Sequence, residues 1–192
     1  MNDFTIYFEE GWNHIISSDA LDHQLFIVAL AAIYLVNDWK KVLILVTAFT
    51  IGHSLTLALS TFNLIKVNSN WVEFLIPLTI VITAIQNLYK TEKHYGHYRM
   101  QYCLALFFGL IHGLGFANTI RFMLAESQSI TMPLLSFNIG LEVGQLMVVG
   151  LILLMSYLLV NTLKLKRKWW VWTLSGTALL ISGYICIQRW PL

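Results

Sequence analysis

Charge is scarce in this sequence. Asp, Glu, Lys and Arg together make up 11% of its 192 residues, against about 25% in a soluble globular domain, so water is not the main solvent the chain is built for. Cysteine is scarcer still. Cys103 and Cys186 both lie in apolar stretches without CxxC spacing, and they are expected to pack as small hydrophobes rather than form a disulfide or a thiolate metal site. The net charge of +2 is small and its lysines and arginines are scattered, which excludes an extended nucleic-acid surface. The six methionines are scattered as well, which disfavours a thioether copper path. No nucleotide-binding motif is present, so the chain itself is not expected to use ATP. Up to Asp22 there is no lysine or arginine, only the acids Asp3, Glu9, Glu10, Asp19 and Asp22. That stretch lacks the basic n-region of a cleavable signal peptide, and the first helix is expected to serve for insertion.

Apolar residues fill the space that charge leaves. They account for 57% of the chain, with a mean hydropathy of +0.67, and they fall into runs of about 17 to 25 residues, the length that crosses a bilayer. Six such segments are expected, at approximately 20–37, 42–62, 71–89, 101–124, 132–160 and 169–190. The fold class is therefore all-α, a polytopic integral membrane bundle of six transmembrane helices forming one domain over residues 1–192. Pro77 alone falls well inside a segment, and a membrane helix tolerates it when neighbours satisfy the freed carbonyl. Trp39, Trp71, Trp169, Trp170, Trp172 and Trp190 gather at the proposed ends, as an interfacial aromatic belt does. No clear internal repeat emerges.

The basic residues orient the bundle, because cytoplasmic loops retain lysine and arginine. Lys40, Lys41, Lys90, Lys93, Arg99, Lys164, Lys166, Arg167 and Lys168 fall on one side, nine of the twelve, and only Lys66, Arg121 and Arg189 on the other. Both termini are accordingly expected outside. The location that fits is the bacterial inner membrane, with lipid as partner and association of several copies left open.

Ionisable groups inside such segments cost roughly 2.5 to 3.5 kcal/mol each at a helix centre, so each calls for a reason. His53, His112 and Glu142 each lie about 10 or 11 residues from a helix end, roughly 15 to 17 Å deep at about 1.5 Å per residue. Three ligand-type side chains are thus expected near one plane. Asn138, Glu142 and Gln145 recur at i, i+4 and i+7, a polar stripe that cannot face lipid. Gly109, Gly113 and Ala117, and again Gly140 and Gly144, stand four apart and permit close helix approach. Ser54 follows His53 among small and hydroxyl residues. Near the first segment, if the stretch is helical, His14, Ser18 and Asp22 stack one turn apart with Asp19 and His23 on a neighbouring face, a cluster expected at the outer mouth where an acid binds a cation or orients a histidine. His94 and His97 read as part of a solvated cytoplasmic loop, and Glu73 as an interfacial residue. Imidazole and carboxylate ligands without thiolates suit nickel, cobalt or zinc better than calcium or magnesium.

Four stretches, taken together, carry a resemblance. They are Phe8-Glu9-Glu10-Gly11-Trp12-Asn13-His14-Ile15 running into Asp22-His23-Gln24-Leu25-Phe26, Phe49-Thr50-Ile51-Gly52-His53-Ser54-Leu55-Thr56-Leu57, Phe108-Gly109-Leu110-Ile111-His112-Gly113-Leu114-Gly115-Phe116-Ala117, and Phe137-Asn138-Ile139-Gly140-Leu141-Glu142-Val143-Gly144-Gln145. In this order, over nearly the whole chain, they resemble the HupE/UreJ family of small membrane proteins, regarded as nickel or cobalt permeases. The family's usual glycine shortly before the Asp-His pair is missing, the stretch here reading Ser17-Ser18-Asp19-Ala20-Leu21. The resemblance implies that His14, Asp22, His23, His53, His112 and Glu142 handle metal; Asn138, Gln145, Asp19 and Ser54, from their placement in the sequence, are expected in support. The expected activity is transport of a divalent transition-metal ion, nickel, cobalt or zinc, as substrate or bound ion. The competing expectation is an intramembrane zinc hydrolase in which the same histidines fix the metal and Glu142 or Asp22 activates a water. A purely structural subunit gives no reason for ionisable groups to gather at one depth.

Overall fold

The computed structural model describes residues 3–90, 98–124 and 130–191; His94, His97 and Lys93 lie outside the described residues. Within them the chain is all helical: α1 (Asp3–Ile16), α2 (Leu21–Ala31), α3 (Trp39–Thr61), α4 (Ser69–Lys90), α5 (Tyr98–Leu124), α6 (Thr131–Ser156) and α7 (Arg167–Gln188), with a 3₁₀ turn at Val36–Asp38 and a π-helical extension of α6 over Tyr157–Thr162. Among the described residues, four stretches are long and apolar enough to cross a membrane: Val36–Thr61, Ser69–Tyr89, Thr131–Thr162 and Arg167–Gln188. The α5 helix runs 27 residues, about 40 Å at ~1.5 Å per residue.

The amino-terminal region departs from the expected single helix over 20–37. Two shorter helices stand there, α1 of 14 residues and α2 of 11, broken at Ser17–Ala20, where neither glycine nor proline marks the turn. The break is held by Gln24, whose side-chain amide nitrogen lies 3.1, 3.3 and 2.8 Å from the carbonyls of Ile15, Ile16 and Ser17, supplying a donor where a helix end leaves its carbonyls without partners. His14, Ser18 and Asp22 therefore do not stack on one continuous helix. The end of α2 and the chain after it are tied to distant helices: Asn87 donates to the Ala29 carbonyl at 2.7 Å, Arg167 to that of Ile33 at 2.6 Å, and the Tyr34 hydroxyl to the Gln101 side chain at 2.6 Å. At the end of α3, Asn63 adopts φ 57. The Leu64 and Asn63 amides donate to Leu59 and Ser60 at 2.9 and 3.0 Å, the paired bonds of a left-handed helix stop.

Glycine sets how the long helices meet. A Cβ on Gly52 would sit 2.2 Å from the Leu106 carbonyl oxygen, and one on Gly109 would sit 2.1 Å from that of Phe49. The same reciprocal contact joins α1 to α6, where a Cβ on Gly11 would sit 2.0 Å from the Phe137 oxygen and one on Gly140 2.1 Å from that of Phe8. In both pairs the first residue of an apolar-x-x-Gly segment meets the glycine of its partner, so the two backbones touch, as small-residue membrane interfaces allow. Contacts advance together along both chains, Phe4 to Ser136, Phe8 to Gly140 and Ile15 to Gly144, so α1 runs parallel to α6. By the same criterion, Phe49 to Gly109 and His53 to Gly113, α3 runs parallel to α5. Gly150, Gly176 and Gly183 meet nothing within 4 Å. Cys103 is exposed and Cys186 partly so, both free.

Candidate metal centre

Four histidines from four helices meet where α1 ends and α2 begins. His14 stands in the last turn of α1, His23 in the first turns of α2, His53 halfway along α3 and His112 halfway along α5. The glycine contacts explain the last two: the α3 and α5 backbones touch at Gly52, Gly109 and Gly113, which brings the adjoining His53 and His112 to 0% exposure. The His23 ring is central, its centroid 4.4 Å from His14, 5.9 Å from His53 and 5.2 Å from His112. Ligand nitrogens of His14, His23 and His53 all lie within 4.8 Å of one another. Three nitrogens on a tetrahedral ion are about 3.4 Å apart at metal–nitrogen distances of about 2.0–2.1 Å, a contraction that rotation of the rings supplies.

Buried polar atoms are ordinarily hydrogen-bonded, yet here Nε2 of His14, Nε2 of His23, both nitrogens of His53 and Nδ1 of His112 are buried with no partner. Five imidazole nitrogens without partners, on four adjoining rings, are a donor set suited to a cation. His112 Nε2 has a neighbour, Thr79 Oγ1 at 3.2 Å.

A cavity of about 410 Å³ opens onto this cluster, reaching His14, His23 and His112. Its walls carry four carboxylates, Glu10, Asp19, Asp22 and Glu73, against one guanidinium, Arg189, a balance that concentrates cations. Arg189 Nη1 donates to Asp22 Oδ2 at 2.7 Å, while Asp22 Oδ1 is buried without a partner. Aromatic rings seal the sides and floor. Phe116 packs 4.0 Å from His14 and stacks on Phe137 at 5.1 Å. Phe26 and Phe49 each lie 5.1 Å from His112, with Phe108 6.0 Å from Phe26. Beyond Phe108 a smaller cavity of about 40 Å³ is lined by Tyr34, Thr83, Gln86, Asn87 and Gln101.

The polar stripe of α6 lies elsewhere. Glu142 accepts from Thr47 at 3.0 Å, Thr50 donates to Gln145 at 2.7 Å and Ser54 to Asn138 at 2.6 Å, a ladder joining α3 to α6. Thr47, Thr50, Ser54, Asn138 and Glu142 line a separate groove of about 610 Å³. Of the expected site residues, His14, His23, His53 and His112 come together, and Asp22 and Asp19 line the cavity above them. Glu142, Asn138, Gln145 and Ser54 do not join them, because depth along a helix says nothing of which face a residue occupies. Glu10, Glu73, Arg189 and Thr79 belong to the site and were not singled out for it in the sequence. Their available signal was acids recurring near the outer ends of several segments.

A family model described as HupE / UreJ protein matches residues 1–189. No curated protein and no solved structure matches the chain.

Proposed function

We propose that this chain, which belongs to the HupE/UreJ family, carries a divalent transition-metal ion, nickel or cobalt before zinc, across the bacterial inner membrane. The observation that carries the reading is the set of five unpartnered imidazole nitrogens at the base of a carboxylate-lined cavity. Neutral imidazoles suit borderline divalent ions. The acids Glu10, Asp19, Asp22 and Glu73 collect the ion, and His14, His23 and His53 replace its water. In this reading α1 and α2 together make the first of six crossings, broken at Ser17–Ala20, with both termini outside, as the distribution of basic residues requires. A helix broken at a binding site is a recurrent transporter device. The phenylalanine layer below the histidines closes the path inward, and the small polar cavity beyond it is the next station.

The competing hydrolase reading places Glu142 or Asp22 on a metal-bound water. Glu142 sits in the other groove with Thr47, and Asp22 is held by Arg189, so carriage is favoured over hydrolysis. Uptake of nickel, cobalt and zinc into proteoliposomes tests the proposal: saturable influx of at least one ion is expected, lost on acidification as protons compete for the imidazoles. Folded protein that binds metal but moves none of the three would refute carriage.

A further inference from the structure

Thr79, buried on α4, touches the metal centre without belonging to the expected ligand set. Its hydroxyl oxygen lies 2.7 Å from the Ile76 carbonyl and 3.2 Å from His112 Nε2. A hydroxyl has one proton to give, and the helical carbonyl three residues back takes it, since a carbonyl can only accept. Toward His112 the oxygen therefore offers a lone pair, which requires a proton on Nε2. A neutral imidazole protonated at Nε2 has its lone pair on Nδ1, and Nδ1 of His112 is the buried nitrogen with no partner. The opposite arrangement would leave a buried Nδ1–H donor unsatisfied, the costlier outcome.

We propose that Thr79 is a positioning residue that fixes His112 in the Nε2–H form and so keeps Nδ1 free as a further nitrogen for the ion. This rests on the metal-centre reading above. The His112 ring is 5.2 Å from His23, and it packs 5.1 Å from both Phe26 and Phe49. His112 thus stands both on the outer cavity and against the phenylalanine layer, and links the histidine cluster to the inner path. A histidine ligand whose other ring nitrogen is anchored is the usual arrangement at metal sites, and losing such an anchor costs about 10- to 100-fold in affinity.

Valine at this position keeps the shape of threonine and removes the hydroxyl, whereas serine keeps the hydroxyl. Titration of purified wild type, Thr79→Val and Thr79→Ser with cobalt, followed by visible absorption and calorimetry, is expected to show Thr79→Val weakened about 10-fold or more and Thr79→Ser close to wild type. In the metal-free proteins, nitrogen and carbon NMR shifts of labelled histidine should report the Nε2–H form at His112 in wild type and Thr79→Ser, and a mixture in Thr79→Val. Wild-type affinity in Thr79→Val, or an Nδ1–H form of His112 in wild type, would overturn the proposal. Absence of cobalt binding to wild type would instead remove the metal centre on which it stands.

Discussion

His23→Ala is expected to lower affinity for the transported ion by roughly 100-fold or more and to abolish uptake, the reference being the 10- to 100-fold lost when only an outer-shell partner is removed. His23 is the one ring packed against the other three, and it lines the cavity beside them. The variant should nonetheless fold. Its imidazole Nε2 has no hydrogen-bond partner, and removing a buried unsatisfied polar group relieves a cost of about 1–3 kcal/mol, which offsets the lost packing. Without metal the variant should melt near wild type. With ion at 100 times the wild-type dissociation constant, wild type gains about 2.7 kcal/mol from binding and the variant, bound 100-fold more weakly, about 0.4 kcal/mol or less. Thermal melts with and without nickel separate the two effects. Glu142→Gln is the control: it removes the carboxylate charge, keeps an oxygen that can accept from Thr47, and should leave the nickel-induced shift in place. A nickel shift in His23→Ala equal to wild type would remove His23 from the centre.

Gly109→Ala should be strongly damaging for the addition of a single methyl group. The added carbon falls 2.1 Å from the Phe49 oxygen and 3.1 Å from the His53 amide nitrogen, both backbone atoms that no side-chain rotation can move. The α3 and α5 helices would have to separate, at a cost above the about 1–3 kcal/mol of ordinary overpacking. His53 and His112 ride on those two helices, so binding should fall with stability. Gly183→Ala provides the comparison, since nothing lies within 4 Å of that position, and an alanine in a helix interior is favoured over glycine by about 0.5–1 kcal/mol. Melting temperatures of the two variants should diverge in opposite directions. If Gly109→Ala melted with Gly183→Ala, the backbone contact between α3 and α5 would be wrong.

Long apolar runs announce membrane helices directly, because in a bilayer the backbone must satisfy itself, and α3, α4, α6 and α7 lie over such runs. The histidines were legible for the same reason, an ionisable group at depth being too costly to be idle. The α1 helix was harder to see. Asp3, Glu9 and Glu10 break its apolar character, and it gains its place from tertiary contact, Gly11 and Phe8 locking onto Phe137 and Gly140. The turn at Ser17–Ala20 is specified by Gln24 reaching back along the chain, a signal no local pattern carries.

Glu142 shows the limit of reading depth alone. It shares a level with the histidines along its helix, but about 100° of rotation per residue decides which neighbour it meets, and it meets Thr47. The glycine spacing at 109 and 113 and at 140 and 144 marked close approach without naming the partner. The partners are segments of the same form, Phe49-Thr50-Ile51-Gly52 and Phe8-Glu9-Glu10-Gly11. In α1 and α5 alike a histidine follows the contact glycine by three residues, Gly11 to His14 and Gly109 to His112, an internal echo visible only once the pairs are known. Thr79 and Arg189 act through a neighbour, His112 and Asp22 respectively, and residues of that kind carry no signature in a single sequence.

X-ray absorption at the zinc edge of protein loaded with one equivalent of zinc tests the centre most directly. Convergence of His14, His23 and His53 predicts nitrogen scatterers at about 2.0–2.1 Å with the outer-shell scattering of at least three imidazole rings, reduced by one ring in His23→Ala. An oxygen shell without imidazole scattering, or a spectrum unchanged by His23→Ala, would contradict it.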